Sequence, residues 1–187
     1  MAPVTRAILI VTVVAFLLQG ASETYALQFA LWPPGPLFRP WQLITYAFLH
    51  GSTVHIFFNM FAVYMFGSEL ERYWGPRRYL FLYGSSILFA GLTQLYVASK
   101  SAAMYPTLGA SGGVFGLLLA YAVLFPRRRL MLLFPPIPMP AWLFVSLYAI
   151  LELFMGVTGR QPNVAHFAHL GGMLGGCIAL LSFRARA

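Results

Sequence analysis

Six long apolar stretches, separated by shorter segments that hold most of the basic residues and prolines, make up most of this chain. They cover positions 7–21, 50–67, 79–98, 108–125, 140–157 and 164–183. Each comes close to the roughly 20 apolar residues that a helix needs to cross a bilayer. Because backbone polar groups in lipid must find partners inside the protein, the pattern predicts an all-α polytopic membrane protein, a closed bundle of six transmembrane helices. We expect residues 1–187 to form a single membrane domain.

The first stretch has an alternative interpretation. Arg6, the apolar run after it and the small residues Ala21 and Ala26 also fit a secretory signal peptide with its cleavage site. A cleaved signal would leave five spans and an external amino end. The distribution of basic residues favours the six-span interpretation.

Composition and charge agree with a membrane protein. The chain is 60% hydrophobic and 9% charged, whereas a soluble domain is roughly 25% charged. With the amino end inside, nine basic residues fall on one side of the membrane: Arg6, Arg72, Arg77, Arg78, Arg127, Arg128, Arg129, Arg184 and Arg186. Three fall on the other side: Arg39, Lys100 and Arg160. The positive-inside rule therefore predicts cytoplasmic termini, and the net charge of +8 needs no nucleic-acid partner.

The second, fourth and sixth spans would all run inwards, and each begins with polar residues. These residues are His50, His55, Asn59, Ser111, His166 and His169. Unpaired polar groups inside a membrane cost several kcal/mol, so such a cluster indicates a functional site, here just below the outer surface.

Ser111 lies in a Gly109-Ala110-Ser111-Gly112 motif. The glycines alone are typical of close helix packing, whatever the serine does. At a helix amino terminus, however, unpaired amides and the helix dipole stabilise negative charge on a carbonyl oxygen, as one half of an oxyanion hole does. His55 and Asn59 are four residues apart on one helix face and would supply the other half. The simpler alternatives are a helix–helix hydrogen bond for Asn59 and, for His50, a contact that fixes the preceding loop.

His169 is the candidate general base, because glycines at positions 171, 172, 175 and 176 let the fourth and sixth spans pack closely enough for a serine to reach it. Phe115, one turn after Ser111, is expected to stack on its ring. His166 is expected to be structural or to line the rim. The chain has no aspartate, and Glu152 is the one glutamate placed near this end. We expect a Ser–His dyad, with Glu152 involved in helix packing.

These motifs, in order and spacing, resemble the rhomboid family of intramembrane serine proteases. The resemblance rests on His50, His55 and Asn59 in the second span, on the Gly109–Gly112 motif, and on Ala168-His169-x-x-Gly172-x-x-x-Gly176. It implies a six-helix bacterial-type core in a plasma membrane, with the site open to the outside. Residues 32–42 would belong to a membrane-embedded first loop and residues 158–163 to a cap over the site.

The resemblance also implies roles and a reaction. Ser111 would be the nucleophile and His169 the base, with Asn59, His55 and the Ser111 amide at the oxyanion and Gly109, Gly112, Phe115 and His50 in support. The substrates would be single-span membrane proteins, whose helix must unwind before a peptide carbonyl can be attacked. No cofactor and no metal are expected.

Two other functions remain open at this point. The four histidines also fit a zinc or iron enzyme, although the chain has no aspartate to complete the set of metal ligands. A non-catalytic binder of membrane helices is the second alternative. Relatives of that kind typically lose the serine or the histidine, and both are present here.

Overall fold

The computed structural model describes residues 1–101, 105–132, 136–161 and 164–184. Its helices are α1 (Pro3–Ala21), α2 (Glu23–Phe29), α3 (Gln42–Thr45), α4 (Thr53–Ala62), α5 (Ser68–Ala98), α6 (Ser111–Leu124), α7 (Ala141–Thr158) and α8 (His166–Arg184). A 3₁₀ turn, Tyr46–Phe48, precedes α4, and a π-helical turn, Val63–Gly67, joins α4 to α5. Two short strands, β1 (Arg129–Met131) and β2 (Pro138–Pro140), form an antiparallel hairpin between α6 and α7. The all-α prediction missed this hairpin.

Among the described residues, four helical segments are long and apolar enough to cross a membrane: Pro3–Ala21, Thr53–Ala98, Ala141–Thr158 and His166–Phe183. Helix α6 is apolar but shorter. The predicted stretches 50–67 and 79–98 both fall largely within the second segment. Large apolar side chains cover the outside of the bundle, and Leu17, Tyr96 and Val157 are each more than 60% exposed. An outer surface of this kind suits contact with lipid chains.

The long second segment turns back on itself at Gly75. This glycine has φ 79° and ψ 168°, outside the helical range, and Pro76 follows it. In a straight helix, Gly67 and Tyr79 would be about 18 Å apart, since each residue adds about 1.5 Å. Instead, a Cβ on Gly67 would lie 3.1 Å from Cζ of Tyr79. The two arms on either side of Gly75 therefore pack against each other.

Helix α6 lies at the centre of the bundle, enclosed by α5, α7 and α8. Ten of its 14 residues are buried. Its backbone touches that of α8 directly: a Cβ on Gly176 would lie 3.0 Å from the Cα atom of Gly116. Side chains larger than hydrogen at this contact would push the helices apart. The glycines thus let the first turns of α6 and α8 meet.

Buried polar side chains anchor both ends of the bundle. The side chain of Gln42 is fully buried; its oxygen accepts from the Arg39 amide at 3.0 Å, and its nitrogen donates to the Leu37 carbonyl at 3.1 Å. These bonds hold the loop before α3. Glu71 caps α1 by accepting from the amides of Val4 and Thr5 at 2.8 and 2.7 Å. Helix α1 is therefore tied to α5 by hydrogen bonds at its amino end.

Candidate active site

Three of the six predicted polar residues lie in the first turns of three different helices. Ser111 begins α6, His169 lies in the first turn of α8 and His55 lies in that of α4. The Nε2 atom of His169 lies 2.8 Å from Oγ of Ser111, which is hydrogen-bond distance. Because Oγ is also a donor, the serine proton can pass directly to the imidazole.

The segment before Ser111 is shaped by glycine and by His50. Gly109 has φ +128°, a conformation that side chains with a Cβ rarely adopt, and a Cβ there would lie 2.8 Å from the His55 ring. The Ala110 amide points to Nε2 of His50 at 3.4 Å. His50 is only 1% exposed, and its backbone pairs with the Gln19 side chain. His50 thus contacts the segment that presents Ser111, as well as fixing its own loop.

His55 and Asn59 line the same side of the site as Ser111. The Asn59 amide nitrogen donates to the His55 carbonyl at 2.9 Å, so in this state it is bonded within its own helix. The Ser111 amide is the first of α6 and has no partner within that helix. The residues expected at an oxyanion therefore line one cavity, and the Asn59 side chain is bonded to the backbone of its own helix.

Phe115 lies flat against the imidazole of His169. The ring centroids are 4.3 Å apart and the planes differ by 8°. Such stacking restricts the plane of the imidazole. Gly112, the other predicted supporting residue, lies between α5 and α8: a Cβ there would clash with the Ala90 Cβ and would lie 3.6 Å from the Ala168 carbonyl oxygen.

The structure places Glu152 and His166 in the site as well. Oε2 of Glu152 lies 2.9 Å from Nδ1 of His169 and 2.7 Å from Nδ1 of His166. All three residues are buried, so His166 fits the structural role among the two expected for it and not the rim position. The sequence predicted a Ser–His dyad with Glu152 in helix packing; in the structure Glu152, on α7, contacts both of these histidines on α8. A sequence signal existed: His166 and His169 are three residues apart and share a helix face.

Within the described ranges, one group of three residues has atoms close enough to ligate a metal ion. It consists of Glu152, His166 and His169, with ligand atoms within 4.8 Å of one another. The same atoms are already paired by the hydrogen bonds given above. His50 and His55 form a separate pair with ring centroids 4.9 Å apart. The four histidines therefore do not form a single ligand set.

A cavity of about 790 Å³ opens in front of Ser111. Residues of α4, α6 and α7 line it, together with Leu130 and Met131 of β1 and the adjoining Leu132. Its wall is mostly apolar, and Ser111, His55 and Asn59 are among its polar residues. The arrangement fits a long apolar ligand that presents a polar group to the serine. Pro162 and Asn163 of the expected cap lie outside the described residues.

Comparison with known proteins identifies similar sequences. The profile of the rhomboid domain matches residues 38–186. The rhomboid protease GluP of Bacillus subtilis is 31% identical over 170 residues, which are 90% of this chain and 29% of that protein. The mitochondrial Rhomboid protein 1 of Saccharomyces cerevisiae is 32% identical over 138 residues, 73% of this chain and 40% of that protein. The putative rhomboid protease YdcA of Bacillus subtilis is 34% identical over 144 residues, 76% of this chain and 66% of that protein. The chain thus spans at most about two thirds of the length of these relatives.

Proposed function

Because this chain belongs to the rhomboid family, we propose that it is an intramembrane serine endopeptidase that cleaves single-span membrane proteins in or near their transmembrane segment. The observation that carries the proposal is the 2.8 Å contact between Oγ of Ser111 and Nε2 of His169. A nucleophile and a base at this distance, facing a cavity, are the minimum that acyl transfer requires.

In the proposed reaction, Oγ of Ser111 attacks the peptide carbonyl while its proton moves to Nε2 of His169. The imidazolium then gives that proton to the leaving amine, and an acyl-enzyme remains. A water molecule, activated by the same nitrogen, hydrolyses the ester and restores the serine. The stacked Phe115 ring would keep the plane of the imidazole constant during both acylation and deacylation.

The negative charge of the tetrahedral intermediate needs donors aimed at its oxygen. We assign this role to the Ser111 amide, His55 and Asn59. The Asn59 amide would leave the His55 carbonyl to reach the oxyanion, which is consistent with contacts that tighten only in the transition state. Each such donor is commonly worth about 10²–10³ in rate.

The cavity supports a membrane-embedded substrate. Its lining is apolar, and it runs from the first turn of α4 to the β hairpin. A substrate helix hides its carbonyls in hydrogen bonds, so the segment at Ser111 must be extended when it is cut. We therefore expect cleavage where the substrate helix unwinds easily.

We further propose six spans, with the arms on either side of Gly75 counted separately and α6 as a short central span. Both termini would be cytoplasmic, and the site would open to the outside of a bacterial plasma membrane. Arg128 supports this sidedness, because it pairs with Glu69 and so joins two segments expected on the cytoplasmic side. Arg186, also expected there, lies outside the described residues.

Cleavage by the purified protein in detergent tests the proposal. A model single-span substrate should be cut by the wild type and by a Ser182→Ala control, whose hydroxyl only bonds the Ala179 carbonyl at the other end of α8. Ser111→Ala and His169→Ala should be inactive, and a chelator should have no effect. Activity that survives Ser111→Ala would refute the mechanism. Binding without cleavage by the wild type would favour the alternative, a non-catalytic binder of membrane helices.

A further inference from the structure

The carboxylate of Glu152 contacts the side of the His169 ring that faces away from Ser111. Oε2 lies 2.9 Å from Nδ1, while Nε2 faces the serine hydroxyl at 2.8 Å. To accept the serine proton, Nε2 must carry a free lone pair, so in the neutral ring the hydrogen must be on Nδ1. A carboxylate oxygen at Nδ1 accepts that hydrogen and so selects the required tautomer.

Phe115 cannot make this selection. Its ring is parallel to the imidazole to within 8°, and a half-turn of the imidazole about its bond to Cβ leaves the plane unchanged. Such a turn would move Nδ1 and Nε2 away from their partners. The serine hydroxyl at Nε2 can donate or accept and so does not fix the tautomer, whereas the Glu152 carboxylate at Nδ1 can only accept and fixes both the orientation and the tautomer.

His166 explains how a carboxylate is tolerated at this buried position. Its Nε2 faces the Arg160 carbonyl at 3.1 Å, and because a carbonyl only accepts, this nitrogen carries a hydrogen. Its Nδ1 faces Oε2 of Glu152 at 2.7 Å, so one further proton is shared between them. The pair is therefore neutral overall, which removes most of the cost of burying the carboxylate.

From these contacts we infer that Glu152 is a positioning residue for His169, and that His166 holds it in place. The inference rests on the proposed protease activity and extends its dyad to a Ser–His–Glu arrangement. When Ser111 attacks, its proton moves to Nε2 and the ring becomes an imidazolium. The hydrogen bond from Nδ1 to the carboxylate is then charge-assisted, and Glu152 itself takes up no proton.

The groups around this network come from three helices. Glu152 projects from α7, His166 and His169 from α8, and Ser111 from α6. Because α7 contributes only this carboxylate to the His169 hydrogen bonds, its packing against α8 sets the distance between acid and base. The Arg160 carbonyl extends the network into the segment after α7.

Substitution of Glu152 by glutamine tests the inference with little change in volume. Gln can donate to Nδ1 and so favour the wrong tautomer, and we expect kcat to fall about 10²–10⁴-fold with KM within about twofold. Glu71→Gln is the matched control, since Glu71 is equally buried and hydrogen-bonded but caps α1. It should keep the wild-type kcat. Thermal unfolding of both variants shows whether either loses its fold.

A second measurement separates positioning from a structural effect. The rate at which a fluorophosphonate labels Ser111 should fall in Glu152→Gln, and in a His169→Ala background the same substitution should change nothing further. An equal fall in the labelling rate in both backgrounds would overturn the inference. A wild-type kcat in Glu152→Gln, under conditions where Ser111→Ala is inactive, would also overturn it. In the latter case the proposed protease would stand. If the wild type neither cleaves substrate nor labels at Ser111, the proposed function itself fails.

Discussion

A methyl group at position 172 tests how closely α6 and α8 must approach for the site to work. A Cβ on Gly172 would lie 2.9 Å from the Cα atom of Gly112 and closer still to its carbonyl, whereas ordinary contacts begin at 3.4 Å. The helices would have to separate by about 1–1.5 Å at this level to restore normal contact distances to the carbonyl. His169 is one turn before Gly172, and Ser111 is next to Gly112, so the site would share this movement.

The expected cost follows from that displacement. The distance between Oγ of Ser111 and Nε2 of His169, now 2.8 Å, would approach the limit of about 3.2 Å for a hydrogen bond or exceed it. Misplacement by about 1 Å can reduce a catalytic rate about 10²-fold, and overpacking costs about 1–3 kcal/mol of stability. We therefore expect Gly172→Ala to lower kcat about 10²-fold and to lower the temperature of unfolding.

Two matched substitutions calibrate this result. Gly84→Ala adds the same methyl group in α5, where nothing lies within 4 Å, and should leave kcat unchanged. Gly176→Ala meets Gly116 at 3.0 Å and should have an intermediate effect. The assays are substrate cleavage in detergent, fluorophosphonate labelling of Ser111 and thermal unfolding. A folded Gly172→Ala protein with wild-type kcat and labelling would refute the reasoning.

Three further predictions concern the oxyanion, the first loop and the topology. Asn59→Ala should lower kcat about 10²–10³-fold with little change in thermal unfolding, and an unchanged kcat would remove Asn59 from the oxyanion site. Gln42→Ala leaves buried backbone groups of the loop without partners, and we expect the free energy of unfolding to fall by about 1–3 kcal/mol. The unfolding temperature should fall accordingly, and Trp41→Ala, at an exposed neighbouring position, should not reproduce this fall. In a Cys177→Ser background, Lys100→Cys should react with an impermeant thiol reagent from the outside, and Arg127→Cys should react from the cytoplasmic side. Labelling of both positions from the same side would contradict the proposed topology.

Hydropathy located the helices but not their ends. The predicted stretches 50–67, 108–125 and 164–183 each begin two or three residues before the helices that start at Thr53, Ser111 and His166. Two of these starts follow apolar residues, at Leu108 and Val164, and hydropathy does not distinguish an apolar loop from a helix. The third follows His50 and Ser52, and the Ser52 side chain caps α4 by accepting from the His55 amide. The strand hairpin was missed because it depends on backbone geometry, whereas the turn at Gly75 lies in the segment that the sequence placed between two spans.

The sequence by itself determined which local segments are apolar, where glycines allow helices to touch, and that a Gly-Ala-Ser-Gly motif and an Ala-His motif open two such segments. These are local properties, and each can be recognised within one turn or one span. It also led to the family, because several motifs occur together in the right order.

Only the tertiary structure decided the partners of the buried polar groups. Glu152 is 17 residues from His169 and on another helix, so nothing local distinguishes its contact with the base from a general role in helix packing. The same holds for His50 with Ala110 and for Glu71 with α1. Hydrogen bonds between helices depend on axial shift and rotation to within about 0.5 Å, and those are set by the packing of the whole bundle.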